Sequence, residues 1–134
     1  MDNWTIYCGV RFKQRGKTVD GRPTSIEHVY PQSWVAKELG CINTTECRKS
    51  NERFNHAVAH LHNMYPALKS VNSSRGNALL GIIAGENWRY PDCDFERAPG
   101  IAEPRPIARG NLARSIFYMH KNTVFPSPTK CWRP

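Results

Sequence analysis

Ser25-Ile26-Glu27-His28-Val29-Tyr30-Pro31 is the stretch on which the reading of this 134-residue chain turns. Residues 26–30 read as a short strand, led in by a loop marked by Gly21, Pro23 and Ser25. Pro31 ends it, because proline cannot donate to a ladder. Side chains alternate along a strand, so Glu27 and His28 at its end stand side by side, one able to face a metal and the other a water. Phosphodiester hydrolysis needs such a couple: a base that deprotonates the attacking water and a cation that neutralises the phosphate. Histidine titrates near neutrality, and a carboxylate is a hard ligand suited to magnesium or calcium. The same two residues also read as a surface glutamate beside a half-buried histidine, and the pair alone leaves both readings open.

Outward from this stretch the elements are short. Residues 5–12 alternate, with Ile6, Cys8, Val10 and Phe12 on one face, which predicts a strand before a turn at Gly16. Residues 33–39 predict a helix capped by Gly40. Residues 41–49 read as a polar loop. Ser50 is placed to cap a second helix over 51–60, with Glu52 in its first turn. Pro66 suits the first turn of a third helix over 67–74, ended by Gly76. Residues 78–83 predict a buried strand, and 84–106 a long loop rich in Gly, Pro and charge. Residues 107–121 predict an amphipathic helix with a stripe of Leu112, Ile116 and Met119. The tail beyond Val124 reads as extended. The expected fold class is α+β: one mixed domain over 1–134, with a core over about 5–124 and a tail over 125–134.

Composition narrows the function. Forty per cent hydrophobic residues mark a globular chain, and 19 Lys and Arg against 11 Asp and Glu give a net charge of +8. That balance calls for an anionic partner: nucleic acid first, then a membrane surface or an acidic polysaccharide. No run of 18 apolar residues occurs, which argues against a membrane span. Met1-Asp2-Asn3-Trp4 has neither the basic start nor the apolar stretch of a signal peptide, so the chain reads as an internal protein or a mature form with an added Met. Five cysteines at 8, 41, 47, 93 and 131 are spread as in disulfide-bonded proteins of oxidising compartments. Cys41 and Cys47 are near enough in sequence to clip a short loop. Zinc is disfavoured, since no Cys-x-x-Cys occurs and Cys47, His56, His60 and His62 lack a standard spacing.

A second cluster runs from His60-Leu61-His62-Asn63-Met64-Tyr65-Pro66-Ala67 into Val71-Asn72-Ser73-Ser74-Arg75-Gly76-Asn77. Asn is a neutral oxygen donor for a cation, and Arg75 can clamp a phosphate in the bidentate way. Local capping and turn formation account for the same residues equally well.

Taken in order, Tyr7-Cys8-Gly9, Glu27-His28-Val29-x-Pro31, Leu61-His62-Asn63-x-x-Pro66-Ala67, Val71-Asn72-x-x-Arg75-x-Asn77 and Ala108-Arg109-Gly110-x-x-Ala113-Arg114-x-x-x-Tyr118-Met119 resemble the endonuclease I family of periplasmic and secreted non-specific DNases. The resemblance runs from about Thr5 to Met119. It implies a ββα-metal, His-Asn-His-like site with His28 as general base and Glu27 and Asn72 holding one Mg2+, for which Mn2+ or Ca2+ would substitute. It implies that His62, with Asn63, shapes that site. It further implies cleavage of DNA, and of RNA as a second substrate, to 5′-phosphate ends. Contact would be with the phosphate backbone, by a monomer with no membrane attachment, in the periplasm or outside the cell. Arg75 and Arg109 match positions suited to phosphate contact. Arg48, Lys49 and Arg53 are expected there because the family carries an Arg between its Glu-His and Leu-His segments. The chain departs from the family at His60, where Asp is usual, and at Val10, where a second Cys is usual. Loss of that Cys and of a Cys-bearing insert is consistent with one missing disulfide, leaving Cys41–Cys47 and Cys8–Cys93 as the expected pairs and Cys131 over. A basic nucleic-acid-binding module without catalysis is the main competing function. A disulfide-stapled inhibitor and a ribonuclease toxin of similar fold stand behind it.

Overall fold

The computed structural model describes residues 3–14, 16–123 and 132–133, with the side chains of 3–13 and 16–123. The site is carried by a two-stranded antiparallel ribbon, β3 (Thr24–His28) and β4 (Met64–Leu68), in which Glu27 lies opposite Tyr65 and His28 opposite Met64. Helix α4 (Lys69–Arg75) follows β4 without a break and packs on both strands. Before the ribbon, β1 (Phe12–Gln14) and β2 (Lys17–Thr18) form a small antiparallel pair.

Between β3 and β4 the chain makes three seven-residue helices that pack on one another: α1 (Gln32–Glu38), α2 (Thr44–Ser50) and α3 (Glu52–Val58). A mixed sheet in the order β6-β7-β5-β8 lies beyond, from β5 (Leu79–Gly81), β6 (Glu96–Ala98), β7 (Ile101–Glu103) and β8 (Trp132–Arg133). Helix α5 (Arg109–Asn122) packs against the 3₁₀ turn Leu61–Asn63. Val29, Ala67, Val71, Phe54, Leu80, Leu112 and Met119 are all fully buried, so ribbon, helices and sheet share one apolar cluster. The fold class is α+β, as expected.

Five expectations give way to local physics. Residues 5–12 do not run as a strand: the chain turns over 6–8 because Ile6 and Tyr7 enter the core and Gly9 takes φ +64. The polar stretch 41–49 is largely helical, since Asn43 Oδ1 accepts from the Glu46 amide at 2.8 Å and so starts α2. Asn51, not Ser50, caps α3, accepting from the Phe54 amide at 3.0 Å. Pro66 lies in β4 rather than opening a helix. Its carbonyl accepts from Ile6 at 2.9 Å, on the side away from β3, so its missing N–H costs the ribbon nothing. The long segment 84–106 also contains the β6–β7 hairpin, reversed at Gly100 with φ +75.

Two disulfides join Cys8 to Cys93 and Cys41 to Cys47, matching both expected pairs and an oxidising compartment. Cys131 and the tail over 125–131 lie outside the described residues. Among the described residues no helix is long and apolar enough to cross a membrane.

Candidate active site

Alternation along β3 separates its two chemical residues. Glu27 turns inward and is only 2 % exposed. Its Oε1 meets Arg75 Nη1 at 3.3 Å, and the guanidinium is itself 0 % exposed. Arg75 is held there by donating from Nη1 to the His28 carbonyl at 3.2 Å and from Nε to the Ala78 carbonyl at 3.2 Å. The buried Tyr7 side chain borders the same pair. Burial pushes the Glu27 carboxyl above its ordinary range, while Arg75 and then Tyr7 pull it back. Burial likewise raises Tyr7 well above 10.0. Glu27 Oε2 has no hydrogen-bond partner. A buried carboxylate oxygen left without a partner carries a desolvation penalty that a bound cation would remove.

His28 faces the other way and is half-buried. Its Nε2 lies 3.1 Å from the Val58 carbonyl. A carbonyl only accepts, so Nε2 carries the proton and Nδ1 keeps its lone pair. Gln32 Nε2 lies 3.3 Å from that Nδ1 and 3.2 Å from the ring Nε2; with the Nε2 proton on the Val58 carbonyl, Nδ1 is the nitrogen that can accept from it. The orientation of the Gln32 amide follows from Arg48, whose Nη2 donates to Gln32 Oε1 at 2.9 Å, because a guanidinium can only donate. Burial lowers the His28 pKa below 6.5, the Val58 carbonyl opposes this, and the Arg48 charge adds to it. The imidazole is therefore neutral at neutral pH, the form a general base needs.

Asn72, on α4, donates from Nδ2 to Ser25 Oγ at 2.8 Å and to the Ile26 carbonyl at 3.0 Å. Both bonds use its amine end, so Oδ1 is left to accept from or ligate something else. Asn72, Glu27, His28 and Gln32 line one open groove of about 420 Å³ with Asn77 and Gly76. Glu27 Oε2 and Asn72 Oδ1 are the hard oxygen donors that a divalent cation takes, and the residues present fit such an ion. A separate hollow of about 540 Å³ also gathers Glu52, His56 and Asn122. There Glu52 and His56 are exposed and make no side-chain hydrogen bond among the described residues; His56 meets only the His60 ring, edge-on.

The remaining expected residues fall elsewhere. Arg75 was expected on a phosphate, but it is enclosed and neutralises Glu27; a fully buried guanidinium is not available to a backbone outside. Arg109 pairs with Glu103 at 3.0 Å and donates to the Pro104 carbonyl at 3.2 Å at the head of α5. Arg53 lines the hollow on α3. Lys49 is an exposed residue of α2. Of the three cations proposed between the two motifs, Arg48 is the one tied to the groove. His62 does not line the groove; it stacks on Tyr118 with ring centroids 4.3 Å apart. Asn63 is a buried clamp: Oδ1 accepts from the Tyr30 amide at 2.7 Å and Nδ2 donates to the Tyr30 carbonyl at 3.0 Å. That pins the chain directly after His28. His60 sits against Tyr118, with Nδ1 3.1 Å from its hydroxyl.

Gln32, Ser25, Tyr7 and the Val58 carbonyl were not singled out from the sequence. Gln32 stands four residues after His28, across Pro31, and that spacing was the only available signal. A backbone carbonyl leaves none.

Residues 3–124 match the model of the family described as Endonuclease I. The chain is 32 % identical over 122 residues to Endonuclease-1 of Buchnera aphidicola subsp. Acyrthosiphon pisum, covering 85 % of this chain and 46 % of that protein. It is 28 % identical over 138 residues to an extracellular deoxyribonuclease of Aeromonas hydrophila, covering 86 % and 60 %. A periplasmic deoxyribonuclease of the same organism is 30 % identical over 138 residues, covering 86 % and 57 %. The chain thus spans 46–60 % of the length of these relatives.

Proposed function

Because this chain belongs to the endonuclease I family, we propose that it is a secreted or periplasmic endonuclease that hydrolyses DNA without sequence preference, with RNA as a second substrate. The observation that carries the reading is the groove itself. A neutral imidazole whose Nδ1 meets only the Gln32 amide, a buried and unpartnered Glu27 oxygen and an Asn72 oxygen without a partner belong to residues that line one groove.

In this reading a water displaces the Gln32 amide at His28 Nδ1. Nδ1 takes a proton from that water as its oxygen attacks phosphorus. The P–O3′ bond breaks, leaving a 5′-phosphate on one product and a 3′-oxyanion on the other, which takes a proton from solvent to become the 3′-hydroxyl while His28 returns its proton to solvent. The Val58 carbonyl holds the imidazole N–H throughout, and so stabilises the imidazolium that forms. Arg48, held by Gln32, provides positive charge to a phosphate at the rim. Glu27 Oε2 and Asn72 Oδ1 would hold one Mg2+, which when bound supplies charge neutralisation at the scissile phosphate and at the leaving oxygen. Arg75 opposes the upward push that burial gives the Glu27 carboxyl. The net charge of +8 favours backbone binding with steep salt dependence.

The test is degradation of supercoiled plasmid and of RNA by the purified chain with Mg2+, with EDTA, and with His28→Ala. Cutting should require the cation, and the variant should lose roughly 10²–10⁴-fold in rate, the usual contribution of a general base. Binding of DNA without cutting under any divalent cation would overturn the reading in favour of a binding-only relative.

A further inference from the structure

We propose that Glu86, Asp94 and Glu96 form a second cation site, of calcium type, that fastens the loop between β5 and β6 to the β6–β7 hairpin. One carboxylate oxygen from each residue lies within 4.8 Å of the other two. Oxygens sharing a calcium at 2.3–2.6 Å can be no more than about 5 Å apart, so the three already fit around one ion. The second observation is Glu96. It is 2 % exposed, its Oε1 has no hydrogen-bond partner, and none of the three ion pairs among the described residues includes it. A buried carboxylate with no counter-charge is costly, and it is aimed at two further carboxylates.

Arg105 is a cation that feels Asp94, but its Nε and Nη2 donate to the Ile6 carbonyl at 3.0 Å and the Thr5 carbonyl at 3.3 Å, and among the described residues no ion pair includes any of the three carboxylates. Glu86 is exposed and accepts from Trp88 Nε1 at 3.1 Å. Its open side leaves room for the waters that complete a calcium shell. Three converging carboxylates suit Ca2+ better than Mg2+, which usually takes one or two and keeps its waters. None of the three lines the Glu27–His28 groove, so this site is separate from the catalytic one and does not rest on the proposed activity. Residues 82–95 contain no helix or strand, and Cys93 is tied to Cys8. The cation gives that loop a second anchor.

Trp88, hydrogen-bonded to Glu86, supplies a probe at this site. Terbium(III) bound at Glu86 would be excited through Trp88, and its emission should be displaced by CaCl2 with an apparent Kd of about 10⁻⁴–10⁻³ M, the range of extracellular calcium modules. Emission should fall at least tenfold in Trp88→Phe and in Glu86→Gln/Asp94→Asn, and stay unchanged in Asn72→Ala. Both changes at Glu86 and Trp88 are on exposed side chains, so Glu86→Gln and Trp88→Phe taken singly serve if the double variant does not fold. In parallel, Ca2+ should raise the thermal midpoint of the EDTA-stripped wild type saturably, and that shift should vanish in Glu86→Gln/Asp94→Asn. Absence of calcium-displaceable emission, its survival in Glu86→Gln/Asp94→Asn, or its loss in Asn72→Ala would overturn the site.

Discussion

Around β3, each polar residue is held by one atom and leaves another toward a shared groove. His28 gives Nε2 to Val58 and keeps Nδ1; Asn72 gives Nδ2 to Ser25 and Ile26 and keeps Oδ1; Glu27 gives Oε1 to Arg75 and keeps Oε2. Around α5 the same residue types are directed at one another. His60 Nδ1 faces the Tyr118 hydroxyl, His62 stacks on the Tyr118 ring, and His56 meets His60 edge-on at 5.1 Å. His60 Nε2 and Glu27 Oε2 are both buried and unpartnered, but of the two residues only Glu27 lines the groove. Residue type alone therefore does not make a site. What distinguishes the β3 region is that its hydrogen-bonded side chains line one groove together.

The strongest way to break this contrast is to remove one histidine from each region. His28→Ala should reduce plasmid nicking by roughly 10²–10⁴-fold, whereas His62→Ala should cost less than about tenfold. Equal losses in initial-rate assays would mean that the Tyr118 face belongs to the catalytic machinery.

Two arginines sharpen it on the side of stability. Arg75→Ala leaves Glu27 buried without its counter-charge and should cost about 3–5 kcal/mol in urea unfolding. Arg109→Ala, whose side chain is 33 % exposed, should cost about 1 kcal/mol or less after solvent screening. Similar values for the two would show that the interior pair does not hold the groove together.

Arg48→Ala should then lower cutting by about tenfold, the worth of one charge-assisted hydrogen bond lost at Gln32 and at a phosphate. Lys49→Ala should change it by less than about twofold, because the side chain is exposed and a solvated surface charge contributes little. A larger loss at Lys49 than at Arg48 would move the phosphate path along α2.

The smallest expected effect is in pH. The folded pKa of His28 lies below 6.5, so neutral His28 and full activity persist below that value, and the acid limb of the rate profile should have its midpoint under 6.5. The sign for stability agrees. The folded state binds fewer protons at His28 than the unfolded chain, so stability rises with pH through the window that ends at 6.5. Because the Arg48 charge contributes to the lowering, Arg48→Ala should move the midpoint upward; a downward move would contradict the geometry.

Much of this site was legible from the chain alone. Glu27-His28 before Pro31 marks the end of a strand, and alternation within the strand requires its two side chains to face opposite ways. Leu112, Ile116 and Met119 at helical spacing required the buried face of α5, and both disulfide partners followed from family likeness and the cysteine spacing. What local pattern could not supply was the environment of each side chain. Whether Arg75 reaches a phosphate or is enclosed beside Glu27 depends on how α4 packs on β3. The proton position on His28 depends on a carbonyl at Val58, thirty residues away, at the end of helix α3. Pro66 lies in a strand only because β3 pairs with one side of β4 and Ile6 occupies the other. Periodicity and capping chemistry are properties of neighbouring residues, so the sequence by itself determined the β3 strand, the buried face of α5 and the residue types at the site. Burial, counter-charge and spare hydrogen-bonding capacity are set between segments far apart in the chain, so only the tertiary structure decided which polar atoms remain open to a cation and a phosphate.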